Sequence, residues 1–120
     1  MTILVTGGCG FIGINFIANW FQRTDEHIVN IDCMTYAANT ACLDKLPHKN
    51  LVNFNVDITD SQMVAKILNK HHPRAIVHFA AESHVDRSIA SADQFIKTNI
   101  NGTYALLVNA LNYRENAGTD

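Results

Sequence analysis

The sequence has few of the features found in chains that act on nucleic acids or at membranes. Its 120 residues hold 9 Lys and Arg against 11 Asp and Glu, a net charge of −2, so no basic field attracts polyanions. The most apolar stretch, residues 11–21, is interrupted by Gly13, Asn15 and Asn19 and falls short of the roughly 20 residues of a membrane span. Residues 1–6 lack a charged n-region. We therefore expect no signal peptide, no membrane segment and no nucleic-acid partner.

Cysteine and metal-ligand patterns are also sparse. The three cysteines, Cys9, Cys33 and Cys42, are odd in number and form no C-x-x-C pair. This favours a reducing compartment, and hence the cytoplasm, over a disulfide framework. The six histidines include the adjacent pair His71 and His72 but no H-x-x-x-H spacing, so no metal site is expected.

The remaining composition is that of a globular protein. Hydrophobic residues make up 48% of the chain and charged residues 17%, which allows a sizeable core and argues against disorder. A chain of 120 residues is too short for two independent cores. We expect one domain over residues 1–120.

Short apolar runs alternate along the chain with segments whose apolar residues recur every three or four positions. The runs predict strands, the periodic segments predict helices, and a brief helix is also possible over residues 40–46. The predicted strands are 2–5, 27–31, 51–57 and 75–79, and the predicted helices are 11–22, 61–70 and 93–113. Because no hairpin turn joins two strands, the sheet should be parallel, in an α/β fold.

A glycine-rich turn lies between the first predicted strand and the first helix. Gly7, Gly10 and Gly13 form G-x-x-G-x-x-G, and Gly8 with the last two also forms G-x-G-x-x-G. Such a turn lets the backbone approach a pyrophosphate, which the helix N-terminus then attracts. Three glycines can also make a simple tight turn, but the placement between strand and helix favours dinucleotide binding.

Acidic residues end the next two predicted strands. Asp32 lies 19 residues after Gly13, where a carboxylate can bind ribose hydroxyls and repel the 2′-phosphate of NADP. NAD is therefore the predicted cofactor. The alternative is that Asp32 only caps the following segment. The evidence for a ligand-binding role is weaker for Asp57. Alone it would be only a turn residue, but in a doubly wound sheet it would lie at the carboxyl edge where ligands bind.

A third cluster, residues 79–88, follows the fourth strand. Its small residues would let a cofactor lie against backbone, and Ser83 could bind a ribose or substrate hydroxyl. A solvated loop with a surface pairing of Asp86 and Arg87 explains these residues equally well. Cys9, near the helix N-terminus, is interpreted as filler in the turn rather than as a reactive thiol.

Taken together, the motifs resemble the N-terminal part of the extended short-chain dehydrogenase/reductases, and within them the dTDP-glucose 4,6-dehydratases. The matching stretches cover most of the chain in order. They are ILVTGGCGFIG at 3–13, DCMTYAAN at 32–39, DI at 57–58, AAESHVDRS at 80–88 and TNINGT at 98–103. The resemblance implies a Rossmann-like doubly wound sheet with strand order 3-2-1-4, left incomplete by a missing fifth strand beside residues 75–79.

The resemblance also implies a role for each matching position. The turn around the pyrophosphate of NAD would be formed by Gly7, Gly10, Phe11, Ile12 and Gly13, and the adenosine ribose would be held by Asp32, Cys33, Met34 and Thr35. The adenine would be flanked by Asp57 and Ile58. The nicotinamide side would be lined by Phe79, Ala80, Ala81, Glu82, Ser83 and Thr98. Ser83 would also touch the nucleotide sugar. In the family, NAD takes a hydride from C4 of glucose, water is eliminated across C5 and C6, and the hydride returns to C6.

The sequence departs from the family in two respects. Ala38 stands where a glycine is usual, and the family's Tyr-x-x-x-Lys pair and acid/base residues fall beyond the homologue of Asp120. No catalytic residue is therefore expected in this chain, which should not catalyse alone. The implied substrate, dTDP-glucose, and the implied homodimer belong to the complete protein. A non-catalytic nucleotide-binding module, and a sugar-nucleotide epimerase or decarboxylase, remain alternative interpretations.

Overall fold

A parallel sheet forms the centre of the chain. In a computed structural model, which describes residues 1–33, 48–81, 89 and 92–118, the described part contains four strands in the order β3-β2-β1-β4, all parallel. Their bounds are β1 Thr2–Thr6, β2 His27–Asp32, β3 Leu51–Asn55 and β4 Ala75–His78. The predicted Rossmann-like sheet and its strand order are confirmed.

Helices cover both faces of the sheet. They are α1 Phe11–Arg23, α2 Ser61–His71, α3 Ala92–Ile96 and α4 Thr103–Ala117, with a π-helical segment Lys97–Gly102 between the last two and a 3₁₀ turn at His48–Asn50. The helix predicted over 93–113 is thus three consecutive helical pieces. The helix considered over 40–46 lies outside the described residues.

The sheet buries a separate apolar cluster on each face. The cluster on the α1 face is built by Ile3, Val5, Cys9, Ile17, Ile28 and Leu51. The cluster on the face of α2 and α4 is built by Leu4, Val29, Ile31, Ile58, Val64, Ile67, Leu68 and Leu106. Successive residues of β1 alternate between the two clusters because strand side chains point to opposite faces in turn. Burial on both faces explains why the central strands β1 and β2 read as apolar runs.

Two strands end earlier than the sequence pattern predicts: β3 ends at Asn55 rather than at residue 57, and β4 ends at His78 rather than at residue 79. β3 stops at Asn55, which is the register partner of Asp32, the last residue of β2. The Asp57 carboxylate then accepts hydrogen bonds from the backbone N–H and hydroxyl of Thr59, at 2.9 and 2.8 Å, which closes a turn. Asp60 is the N-cap of α2, since its carboxylate accepts from the N–H of Met63.

Candidate functional site

The glycine turn packs directly against the end of β4. Gly7 has a φ of +71°, and a Cβ built on it would lie 2.5 Å from the Ala80 nitrogen. A Cβ on Gly13 would collide with the Gly7 carbonyl, whereas one on Gly10 would meet only that oxygen at 3.4 Å. Gly7 and Gly13 are therefore required by conformation and space, while Gly10 is exposed.

The N-terminus of α1 is open toward the carboxyl edge of the sheet. Its N-cap is Gly10, which has no side chain to satisfy the first amides, and its first turn contains no acidic residue. Phe11 and Ile12 are 82% and 66% exposed although both are large and apolar. Free backbone amides and the helix dipole attract an anion at such a terminus. The turn can therefore hold a phosphate group with apolar side chains beside it.

Asp32 reaches from the end of β2 to the same turn. Its Oδ2 accepts a hydrogen bond of 2.9 Å from the backbone N–H of Cys9. The carboxylate thus lies beside the turn, where the ribose of a bound dinucleotide is expected. Burial, followed by the charge of Asp32, raises the pKa of the Cys9 thiol to about 12. This supports the interpretation of Cys9 as an unreactive packing residue, while Cys33 is exposed.

Asn30 is a neighbour of the glycine turn that the sequence analysis missed. Its side chain is fully buried in β2, where Oδ1 accepts from the N–H of Gly8 at 2.9 Å and Nδ2 donates to Oδ1 of Asn53 at 3.1 Å. A Cβ on Gly8 would collide with this amide. Asn30 therefore fixes the glycine turn to the sheet. The available signal was a polar residue inside the apolar run of residues 27–31.

The chain after β3 forms a turn in which the Asp57 side chain is already hydrogen-bonded within the protein. The Asp57 carboxylate is engaged with Thr59, and the Ile58 side chain is buried at 4% exposure in the core. A ligand at this edge would meet the main chain of Ile58 rather than its side chain. A Cβ on Gly102 would lie 2.6 Å from Ile58 Cδ1, so the π-helical segment packs closely against this turn.

The end of β4 carries a second polar group that sequence reasoning missed. The Thr6 hydroxyl lies 2.6 Å from Nδ1 of His78 and accepts from the N–H of Ala80 at 3.3 Å, and His78 Nε2 lies 3.1 Å from the Thr103 hydroxyl. Burial lowers the pKa of His78, which favours the neutral ring. Phe79 and Ala80 are half-buried. A histidine within the apolar run 75–79 was the signal for this group.

The remaining predicted site residues fall into two groups. Thr98 is half-buried in the π-helical segment, where its hydroxyl accepts from the Gln94 amide at 3.2 Å, and Ala81 is exposed after β4. The other predicted positions lie outside the described residues. They are Met34, Thr35, Glu82 and Ser83, the last being the predicted substrate contact.

The described residues contain neither a cluster of metal ligands nor a membrane-spanning helix. Within residues 1–33, 48–81, 89 and 92–118, no group of three or more His, Cys, Asp or Glu side chains could hold a metal ion. In the same part of the chain, no helix has the length and apolar character to cross a membrane.

The turn, its acidic neighbour and the order of the strands agree with a match to a known family. The family model described as GDP-mannose 4,6 dehydratase matches residues 4–119. The chain belongs to this family. The resemblance to nucleotide-sugar dehydratases of the extended short-chain dehydrogenase/reductase type is therefore confirmed.

Curated relatives and solved structures agree with this assignment. dTDP-glucose 4,6-dehydratases from Salmonella typhimurium and Haemophilus influenzae are 46% and 48% identical over 121 and 114 residues, which is 100% and 94% of this chain. The crystal structure of DesIV, a dTDP-glucose 4,6-dehydratase from Streptomyces venezuelae with NAD bound, has a TM-score of 0.84, 41% identity and 94% coverage of this chain. A UDP-glucose 4-epimerase from Thermotoga maritima has a TM-score of 0.83 at 29% identity, also with 94% coverage.

The relatives match nearly all of this chain, but this chain matches only a small share of each relative. This chain spans about a third of the length of the family members it matches, namely 34% of both curated relatives and 36% and 35% of the two solved chains.

Proposed function

We propose that the chain is the NAD-binding part of a dTDP-glucose 4,6-dehydratase. The observation that carries the proposal is the placement of the Asp32 carboxylate on the glycine turn, 2.9 Å from the Cys9 N–H. This contact brings the predicted ribose ligand beside the predicted phosphate site. The two features are 19 residues apart in sequence when measured from Gly13, so their contact is a tertiary property.

The residues present fit the shape and charge of NAD. The N-terminus of α1 has uncapped amides for the pyrophosphate, and Gly7 leaves no side chain between the turn and the backbone of Ala80. The charge of Asp32 favours ribose hydroxyls and disfavours the 2′-phosphate of NADP. The proposal also includes the contacts with NAD that the family resemblance implies for six further residues, namely Cys33, Asp57, Ile58, Phe79, Ala81 and Thr98.

The proposed reaction is dehydration of a sugar nucleotide, with dTDP-glucose as the substrate. Eight curated relatives at 45 to 48% identity are all dTDP-glucose 4,6-dehydratases, whereas the Thermotoga epimerase is 29% identical. This difference favours dehydration over epimerisation. Bound NAD would supply hydride uptake and return.

This chain's own residues would bind and orient the cofactor rather than move protons. None of its three tyrosines, Tyr36, Tyr104 and Tyr113, has a lysine four positions later. Proton transfer to a substrate requires an acid or base within hydrogen-bond reach of the reacting group. We therefore propose that the 120 residues contribute the cofactor site and no catalytic residue.

Titration of NAD into the 120-residue chain by calorimetry tests the proposal, with circular dichroism confirming the fold. We expect NAD and ADP to bind, and NADP to bind at least ten-fold more weakly because of Asp32, a difference of about 1.4 kcal/mol. A folded chain that binds neither NAD nor ADP would contradict the proposed function.

The proposal extends to a homodimer. Large apolar side chains recur every three or four residues along the last helical pieces and are 47 to 70% exposed; they are Ile96, Ile100, Tyr104, Leu107 and Leu111. A continuous exposed apolar stripe is typical of an interaction surface. Sedimentation equilibrium on the complete protein should show a dimer that Leu107→Gln weakens. A complete wild-type protein that stays monomeric at its highest soluble concentration would contradict this.

A further inference from the structure

His78 connects three parts of the chain that surround the proposed cofactor site. It is the last residue of β4 and the register partner of Thr6 in β1. Its Nδ1 lies 2.6 Å from the Thr6 hydroxyl, and its Nε2 lies 3.1 Å from the hydroxyl of Thr103, the first residue of α4. One side chain therefore links β1, β4 and the start of α4.

The Thr6 hydroxyl also contacts the backbone after β4, and so it connects His78 to that segment. It accepts the N–H of Ala80 at 3.3 Å, while the Thr6 carbonyl accepts the N–H of Phe79 at 2.9 Å. The Ala80 nitrogen is in turn the atom nearest to a Cβ built on Gly7. The position of Ala80 thus sets how closely the glycine turn approaches the end of β4.

The other hydrogen bond of the buried Thr6 hydroxyl determines which group donates in its contact with His78. Thr6 is fully buried, and one lone pair of its hydroxyl is used by the Ala80 N–H. Its proton is satisfied when it donates to Nδ1, so a neutral ring that donates from Nε2 to Thr103 completes the set. Without an acceptor at the Nδ1 position, a buried hydroxyl proton would lose its partner, which is costly.

We propose that His78 is a positioning residue for the NAD site. Acting through Thr6, it holds the Ala80 backbone against Gly7, and so fixes the wall along which the nicotinamide side is expected to lie. The proposal rests on the proposed function for its cofactor. The arrangement of His78, Thr6 and Ala80 can be tested without that cofactor.

Two variants test the contributions of the two ring nitrogens of His78 separately. His78→Asn places an amide where Nδ1 lies and keeps the contact with Thr6, whereas His78→Gln places one near Nε2 and keeps only the contact with Thr103. We expect H78N to retain NAD affinity within about two-fold, and H78Q to lose about five- to ten-fold, the worth of one hydrogen bond. Calorimetry on the 120-residue chain measures both affinities.

The control is a hydrogen bond of similar kind that is remote from the site. The Tyr113 hydroxyl donates to the carbonyl of Pro73 at 3.3 Å, joining α4 to the segment before β4. Tyr113→Phe should lower thermal stability without changing NAD affinity. Equal affinity losses in H78N, H78Q and Y113F would show that His78 acts only through stability, and would overturn the proposal.

Amide hydrogen exchange supplies a readout that does not depend on NAD. Exchange at the Ala80 N–H should be about ten-fold faster in H78Q than in H78N. Thr6→Val should also accelerate it and Thr6→Ser should not, which gives a second test if a histidine variant fails to fold. Unchanged exchange at Ala80 in H78Q and T6V would overturn the proposal. If wild type binds no NAD but exchange changes as expected, the proposed function fails while the link through His78 stands.

Discussion

Gly7→Ala is expected to destabilise the chain by about 2–5 kcal/mol and to abolish measurable NAD binding. The φ of +71° at this position costs a side-chain-bearing residue about 1–2 kcal/mol. The new Cβ would also lie 2.5 Å from the Ala80 nitrogen and 2.7 Å from the Ala80 Cα, so two backbone segments must separate. Overpacking of this kind costs about 1–3 kcal/mol. Chemical denaturation and calorimetry measure the two effects.

Two other glycines provide matched controls for this variant. Gly118→Ala tests the backbone conformation alone, because φ is +63° there but nothing lies within 4 Å of the new Cβ. Gly10→Ala tests an added methyl group at the same turn without positive φ, since the Cβ meets only the Gly7 carbonyl oxygen at 3.4 Å. We expect G118A to cost about 1–2 kcal/mol and G10A less than about 1 kcal/mol. A G7A variant no less stable than G118A would mean that the contact with Ala80 is not tight.

Asp32→Asn is expected to weaken NAD binding by about 1.5–3 kcal/mol, roughly 10- to 150-fold, because ribose hydroxyls would lose a charged acceptor. The amide oxygen can still accept the Cys9 N–H that Oδ2 now accepts at 2.9 Å. The variant should therefore fold like wild type. It should also discriminate less against NADP, because the negative charge that repels the 2′-phosphate is gone. Parallel titrations of NAD and NADP measure both changes.

Asp32→Ala separates the two contributions of this residue. It removes the acceptor of the Cys9 N–H as well as the charge, so we expect an added loss of about 1–3 kcal/mol in stability. If D32N binds NAD as tightly as wild type while D32A is destabilised, Asp32 serves only to hold the turn. That result would favour the structural alternative considered from the sequence.

The fold was predictable because the central strands β1 and β2 are buried on both faces. Apolar runs such as residues 27–31 are typical of central strands, and Asn53 and Asn55 alternate with apolar residues in a strand that lies at the sheet edge. The ends were less predictable, since they depend on pairing with a neighbouring strand. β3 ends at Asn55, the register partner of Asp32 at the end of β2, and the local sequence pattern does not contain this pairing.

The candidate site was predictable only where a residue type has a local requirement. Gly7 and Gly13 were identified because a tight turn demands glycine, and Asp32 because a strand end presents its side chain to ligands. Asn30 and His78 were missed. Each is a polar residue in an apolar run, and its role depends on a partner 22 or 72 residues away, Gly8 and Thr6 respectively.

The sequence alone therefore determined the α/β class, the glycine turn, the acidic residue at the end of β2 and the resemblance to nucleotide-sugar dehydratases. These follow from spacing and residue type over short stretches. Only the tertiary structure decided that the Asp32 carboxylate accepts the N–H of Cys9, and that a buried histidine joins β1 to α4. The reason is physical: hydrogen bonds between distant segments depend on strand register and helix packing, which exist only once both faces of the sheet are covered.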